Sequence, residues 1–217
     1  MHRTTRGALF VLWGTACSAD PKSEEDSAAP ATEPLNLPDD PADNGVPVGT
    51  STLEVDGATV HVWYPASDSA AGDAGEPVRL ADQVPTSVRD ALGDVVLPSI
   101  DTIAVRDAPW RNTGTPPAVV LFSHGFGGFA AQSVDLTTHL ASRGYVVFSM
   151  DHAGRSIGDL LPCMFSPPLE GCALSGEDPG PADLAAVLTA LEAGIPELPT
   201  LDTETVAVVG HSAGAGT

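Results

Sequence analysis

The five residues Gly210-His211-Ser212-Ala213-Gly214 follow directly on the apolar run Val206-Ala207-Val208-Val209. This is the pattern of a G-x-S-x-G nucleophile elbow, in which a buried strand turns sharply and lifts a serine hydroxyl to the rim of a sheet. Small residues two before and two after the serine let the backbone make that turn without clashing. The chemistry would be nucleophilic attack by Ser212 on an acyl carbonyl, giving an acyl-enzyme that water later releases. Such a serine needs a histidine base and a carboxylate to orient it. After Gly214 the sequence has Ala215, Gly216 and Thr217. An acid and a histidine that come later in the chain than the serine would therefore lie beyond Thr217. The expectation is the front part of a longer enzyme, inactive by itself, with the first turns of its elbow helix unformed.

The elements that must hold this serine alternate along the sequence. Ser51-Thr52-Leu53-Glu54-Val55 and Thr59-Val60-His61-Val62-Trp63-Tyr64 are alternating β-branched runs joined at Asp56-Gly57, a hairpin signal, and Pro65 closes the second run. From Ala66 to about Arg111 the pattern is loop, with one short helix over Thr86 to Ala91. The continuous apolar run Ala118-Val119-Val120-Leu121-Phe122 reads as a strand covered on both faces. A helix is expected across roughly Ala130 to Arg143, stopped by Gly144, and then a buried strand over Tyr145 to Met150. The loop Asp151 to Gly180 leads to a helix with Pro181 in its first turn and Leu184, Val187, Leu188 and Leu191 on one face. Strand, helix, strand, helix, strand in this rhythm predicts an α/β fold, a mostly parallel sheet with right-handed crossovers.

Composition sets the class. A chain of 217 residues with 42% hydrophobic residues is globular, with room for one domain and a tail. A net charge of −20 with nine Lys and Arg argues against nucleic-acid binding, which requires basic residues to neutralise phosphates. His2, Arg3 and Arg6 before the apolar Ala8 to Trp13 and the small residues Gly14-Thr15-Ala16 have the layout of an export signal, too short to span a bilayer. Two processing routes fit: ordinary cleavage and secretion, or cleavage before Cys17 with lipid attached to it, as in bacterial envelope lipoproteins. The second departs from the usual lipobox in having Gly14 three residues before the cysteine. Residues 18–46 are rich in Pro, Ala, Ser, Asp and Glu and cannot bury enough apolar surface to order themselves, so they read as an acidic tether. The expected organisation is a signal over 1–17, the tether over 18–46 and an incomplete catalytic domain over 47–217. In an exported protein Cys163 and Cys172 are expected to pair, since their spacing fits no zinc site; two unrelated thiols are the alternative.

Four stretches together carry a resemblance. They are Val62-Trp63-Tyr64-Pro65-Ala66; Leu121-Phe122-Ser123-His124-Gly125-Phe126-Gly127-Gly128; His139 to Val147 leading to Asp151-His152; and the elbow itself. In this order and spacing the chain, from about Val62 to Thr217, resembles the α/β-hydrolase superfamily, within it the platelet-activating-factor acetylhydrolase and dienelactone-hydrolase-like group. The resemblance implies Ser212 as nucleophile and an oxyanion hole made by the backbone N–H groups of Phe126 and Ala213. Gly125, Gly127 and Gly128 agree with it, because they let the main chain approach a reacting carbonyl; glycines serving only a tight strand exit are the alternative. Dienelactone hydrolases carry cysteine at the elbow, so Ser212 points to carboxylic esters. The superfamily's chain order puts the acid and the histidine after the serine, which is why neither is assignable here.

Asp151 and His152 follow a strand end, where ligands bind in open α/β sheets, but residues there more often line the pocket or brace the loop. His124 and His211 read as structural, donating to nearby backbone groups, and the scattered histidines give no metal site. The segment Gly158 to Gly180 has Leu160, Leu161, Met164, Phe165 and Leu169, an apolar content that suits a lid or pocket wall for an acyl or lipid-like substrate, or packing on a neighbouring helix. The reading is an exported serine hydrolase of short-acyl or lipid esters, membrane-tethered through Cys17 or secreted, with no cofactor implied. A non-catalytic surface lipoprotein that uses the fold for binding, and a truncated gene product, are its rivals.

Overall fold

The structure, a computed structural model, describes Leu9–Trp13 and residues 45–217. Cys17 and the expected tether up to residue 44 lie outside the described residues. The strands are β1 (Leu9–Trp13), β2 (Val48–Val55), β3 (Ala58–Pro65), β4 (Val78–Arg79), β5 (Ser99–Ile100), β6 (Ala104–Arg106), β7 (Ala118–Ser123), β8 (Val146–Met150) and β9 (Asp202–His211). The helices are α1 (Thr86–Leu92), α2 (Val134–Ser142), α3 (Ile157–Cys163) and α4 (Gly180–Ala193). Among the described residues the main sheet has the order β1-β9-β7-β8-β3-β2-β6, with β4 and β5 pairing separately. β3 runs antiparallel to both β2 and β8, while β9, β7 and β8 are parallel, so the sheet is mixed but mostly parallel.

The hairpin is built as its sequence demands. Val55 pairs with Ala58, and Asp56 and Gly57 between them both take positive φ, 50° and 82°, the condition for a two-residue turn that matches strand twist. The unbroken apolar run of β7 is explained by two helical layers. Val119 and Leu121 pack with Leu184, Val187 and Leu191 of α4 on one face. Val120 and Phe122 pack with Val134 and Ala141 of α2 on the other. Each fully buried Leu or Phe contributes roughly 1.5–3 kcal/mol relative to exposure, so β7 anchors both layers.

The expected loop from Ala66 to about Arg111 carries β4, β5 and β6 beside α1, and three further elements depart from the expectations. α2 starts at Val134 rather than near Ala130, because residues 129–133 are held in turns: the Ala130 N–H donates to Asp151 Oδ1 (2.6 Å) and the Gln132 N–H to the Phe129 carbonyl (3.0 Å). The expected loop from Asp151 to Gly180 contains α3. Its start is a capping box in which Ser156 Oγ accepts from the Asp159 N–H while the Asp159 carboxylate accepts from the Ser156 N–H. The elbow turn is formed, as a short 3-10 helix over Ser212–Gly216. Cys163 and Cys172 are bonded, S–S 2.05 Å, closing the end of α3 onto the loop that follows.

Candidate active site

Ser212 stands at the C-terminal end of β9, exposed, with φ +52°. A non-glycine residue in the left-handed region costs about 1–2 kcal/mol and persists only where its surroundings impose it. Here the two motif glycines impose it. A Cβ on Gly210 would lie 2.6 Å from the Ala215 nitrogen and closer still to the Gly214 carbonyl. A Cβ on Gly214 would lie 2.6 Å from the His124 carbonyl oxygen and closer still to that of Ser123. The strand therefore doubles back on itself at glycine contact distance while its far side presses on the end of β7.

The loop after β7 completes the other wall. A Cβ on Gly125 would meet Ser212 Cβ at 3.2 Å and His211 Nδ1 at 2.9 Å, so this loop lies directly against the serine. The Gly127 N–H is used, donating to the Arg155 carbonyl (2.8 Å), and the Gly128 N–H donates to the Gly125 carbonyl (3.0 Å). The Phe126 N–H between them has no partner among the described residues. Ala213 falls in the first turn of the 3-10 helix, where an N–H has no acceptor within its own helix. These are the two donors singled out from the sequence. Phe126 itself is 58% exposed.

No imidazole or carboxylate among the described residues forms a hydrogen bond with Ser212. His152 does not serve as its base. It is fully buried, with Nδ1 2.8 Å from Asp183 Oδ2 and Nε2 2.9 Å from Ser123 Oγ. Burial holds its pKa below the ordinary 6.5, outweighing the Asp183 hydrogen bond that opposes the shift. A neutral His152 with its proton on Nδ1 leaves Nε2 to accept from the Ser123 hydroxyl. Asp151 braces the loop through Ala130, as noted above. His124 is structural and donates to a backbone carbonyl, Gly125, at 2.7 Å. His211 differs from expectation: it is exposed, and no described group accepts from its ring.

Arg155 was missed in the sequence. Its guanidinium is buried, pairs with Asp178, and donates from Nη2 to Ser123 Oγ (2.8 Å) and the His124 carbonyl (3.1 Å). No local pattern marks it, since its partners are 23 to 32 residues away in sequence. The α3 segment packs on the glycine loop: the Ile157 N–H donates to the Gly128 carbonyl (2.7 Å), and a Cβ on Gly127 would lie 2.8 Å from Leu160 Cδ2. Met164, further along, is 71% exposed.

The family model for platelet-activating factor acetylhydrolase, isoform II, matches residues 51–159, half of the sequence. The chain belongs to this family. The matched part of the acetylhydrolase-family chain runs from the hairpin through the glycine loop and β8 to the capping box of α3; the elbow lies outside it. Among solved structures the family member is similar to a ferulic acid esterase from Streptomyces cinnamoneus, at 28% identity and a TM-score of 0.52, over 78% of this chain and 53% of the esterase. The chain thus spans about half the length of that esterase. The fold is the α/β-hydrolase fold. Comparison with curated protein sequences returns no match.

Proposed function

We propose that this chain carries the nucleophile and oxyanion hole of a serine hydrolase of carboxylic esters. The observation that carries the reading is the close approach of Gly125 to the exposed, positive-φ Ser212, on the loop whose next residue, Phe126, has an unpartnered N–H. In the reaction Ser212 Oγ bonds to the acyl carbon and loses its proton to a base. The carbonyl oxygen, now negative, is held by the Phe126 and Ala213 N–H groups, the alcohol leaves with a proton, and water releases the acid. No described imidazole or carboxylate bonds to Ser212, and the base and its orienting carboxylate are proposed to come from outside the described residues.

The substrate class is a short-acyl or lipid ester. Exposed Phe126 and Met164 and half-buried Leu160 and Leu161, on the glycine loop and the α3 segment packed on it, are apolar side chains suited to an acyl chain. The esterase name of the solved relative and the acetylhydrolase name of the family agree in ester chemistry. The protein is proposed to be exported, either secreted or held to the bacterial envelope by lipid on Cys17.

The test is p-nitrophenyl acetate hydrolysis by the complete protein. We expect a burst equal to the enzyme concentration that vanishes in Ser212→Ala, and no burst from residues 1–217 alone. A burst that survives Ser212→Ala rejects the nucleophile, and a complete protein with no burst leaves the non-catalytic surface protein as the reading. For the anchor, Cys17→Ser should move the protein out of the membrane fraction; an unchanged distribution rejects lipid attachment.

A further inference from the structure

The buried polar groups behind the glycine loop converge on one peptide plane. Gly125 C=O and Phe126 N–H belong to the same trans peptide, so its oxygen and hydrogen point in opposite directions and cannot turn independently. That oxygen accepts two hydrogen bonds, from His124 Nδ1 at 2.7 Å and from the Gly128 N–H at 3.0 Å. His124 itself is held from behind, because the His152 N–H donates to His124 Nε2 at 3.0 Å. A backbone N–H can only donate, so His124 Nε2 is bare and its proton sits on Nδ1. His152 is fixed in turn by Asp183 and Ser123, and Ser123 by Arg155. Arg155 closes the set by accepting the Gly127 N–H on its own carbonyl. The residues on both sides of Phe126 are therefore tied, and the Phe126 N–H is left over.

We infer that His124 is a positioning residue of the oxyanion hole: as the neutral Nδ1–H tautomer, locked by the His152 backbone, it orients the Gly125–Phe126 peptide so that the Phe126 N–H faces the reaction site. This rests on the ester-hydrolase reading above. The bond also polarises the peptide, since donating to its carbonyl makes its N–H a stronger donor, and the effect is larger in a site shielded from water. The charged and titratable groups around the ring are His152, Asp151 and Arg155. The Ser123–His152–Asp183 chain looks like a hydrolytic triad, yet no substrate can reach a fully buried Ser123. Its part is to hold His152, and through it the tautomer of His124.

The experiment compares His124→Gln and His124→Asn in the complete protein. Gln can place a polar group near Nε2 but not near Nδ1, whereas Asn returns an N–H donor near Nδ1. Loss of one oxyanion donor costs about 100-fold in kcat, so His124→Gln should lose about that factor with KM unchanged. The affinity of a trifluoromethyl ketone, which forms the tetrahedral adduct, should fall in step. His124→Asn should recover most of the loss. Nitrogen-15 spectra of the unsubstituted protein should show the Nδ1–H tautomer, a readout that needs no variant to fold. A normal kcat in His124→Gln beside an inactive Ser212→Ala overturns this inference alone, as does an Nε2–H or doubly protonated ring. Hydrolysis that survives Ser212→Ala removes the ester-hydrolase reading and this inference with it.

Discussion

Gly210 and Gly214 touch through their backbones, the Gly214 carbonyl occupying the space that a side chain on Gly210 would need. The glycines of the motif thus answer two steric requirements, Gly210 the turn of the chain on itself and Gly214 the carbonyls of Ser123 and His124, and the strained φ of Ser212 stands between them.

Substituting Gly210→Ala must push the Gly214 carbonyl and the Ala215 nitrogen apart, and neither is the flexible end of a side chain. Overpacking of this kind costs about 1–3 kcal/mol and more when backbone must move, so urea unfolding should show a loss at the upper end. Gly216→Ala, with nothing within 4 Å of the added methyl, should change the midpoint little. Equal midpoints for the two variants would contradict the steric account.

Ser212 bears the strain of the elbow, and glycine would not. Ser212→Gly should raise unfolding stability by about 1 kcal/mol while abolishing the burst. Ser212→Ala removes the hydroxyl but keeps the Cβ, and so should show no such gain. If denaturant curves of the two variants coincide, the positive φ is not costing the protein anything.

The Cys163–Cys172 bond closes a loop of nine residues in sequence separation and clasps the end of α3, whose start is stitched to the glycine loop. Loop-entropy arithmetic gives such a closure about 2–3 kcal/mol. Unfolding with and without reductant should differ by that amount, and Cys163→Ser/Cys172→Ser should match the reduced protein. No difference between reduced and oxidised samples would show that the bond is absent or idle.

Acid should destabilise the fold through its buried histidines. His61, His124 and His152 all have pKa values below the ordinary 6.5, in each case chiefly because burial disfavours the charged ring. The unfolded chain therefore binds more protons than the folded one once pH drops below about 6.5. Stability is full above that pH and falls as pH descends from it toward the depressed folded values. The thermal midpoint at pH 5.5 should be lower than at pH 7.5, and His152→Phe should flatten part of the slope. A midpoint independent of pH across this window would mean that the rings are charged in the folded state.

Local sequence determined the pieces whose causes are local. Asp56-Gly57 specifies its turn because two consecutive residues must take positive φ, and the unbroken run Ala118–Phe122 specifies a strand buried on both faces because neither set of alternate side chains can meet water. The elbow was legible in part for the same reason, since Gly210 answers a clash with the backbone four residues on, whereas Gly214 answers the carbonyls of Ser123 and His124. The capping box of α3 is equally local, its signal being Ser156 and Asp159 three residues apart. Tertiary structure alone decided the rest. That His152 is a buried strut and not a base, that Arg155 ties Ser123 to Asp178, and that the His152 backbone fixes the tautomer of His124 depend on groups 23 to 32 residues apart meeting at the end of β7. Hydrogen bonds across such separations leave no periodicity in a sequence, because the chain path between the partners is free to vary so long as the sheet brings their strand ends together.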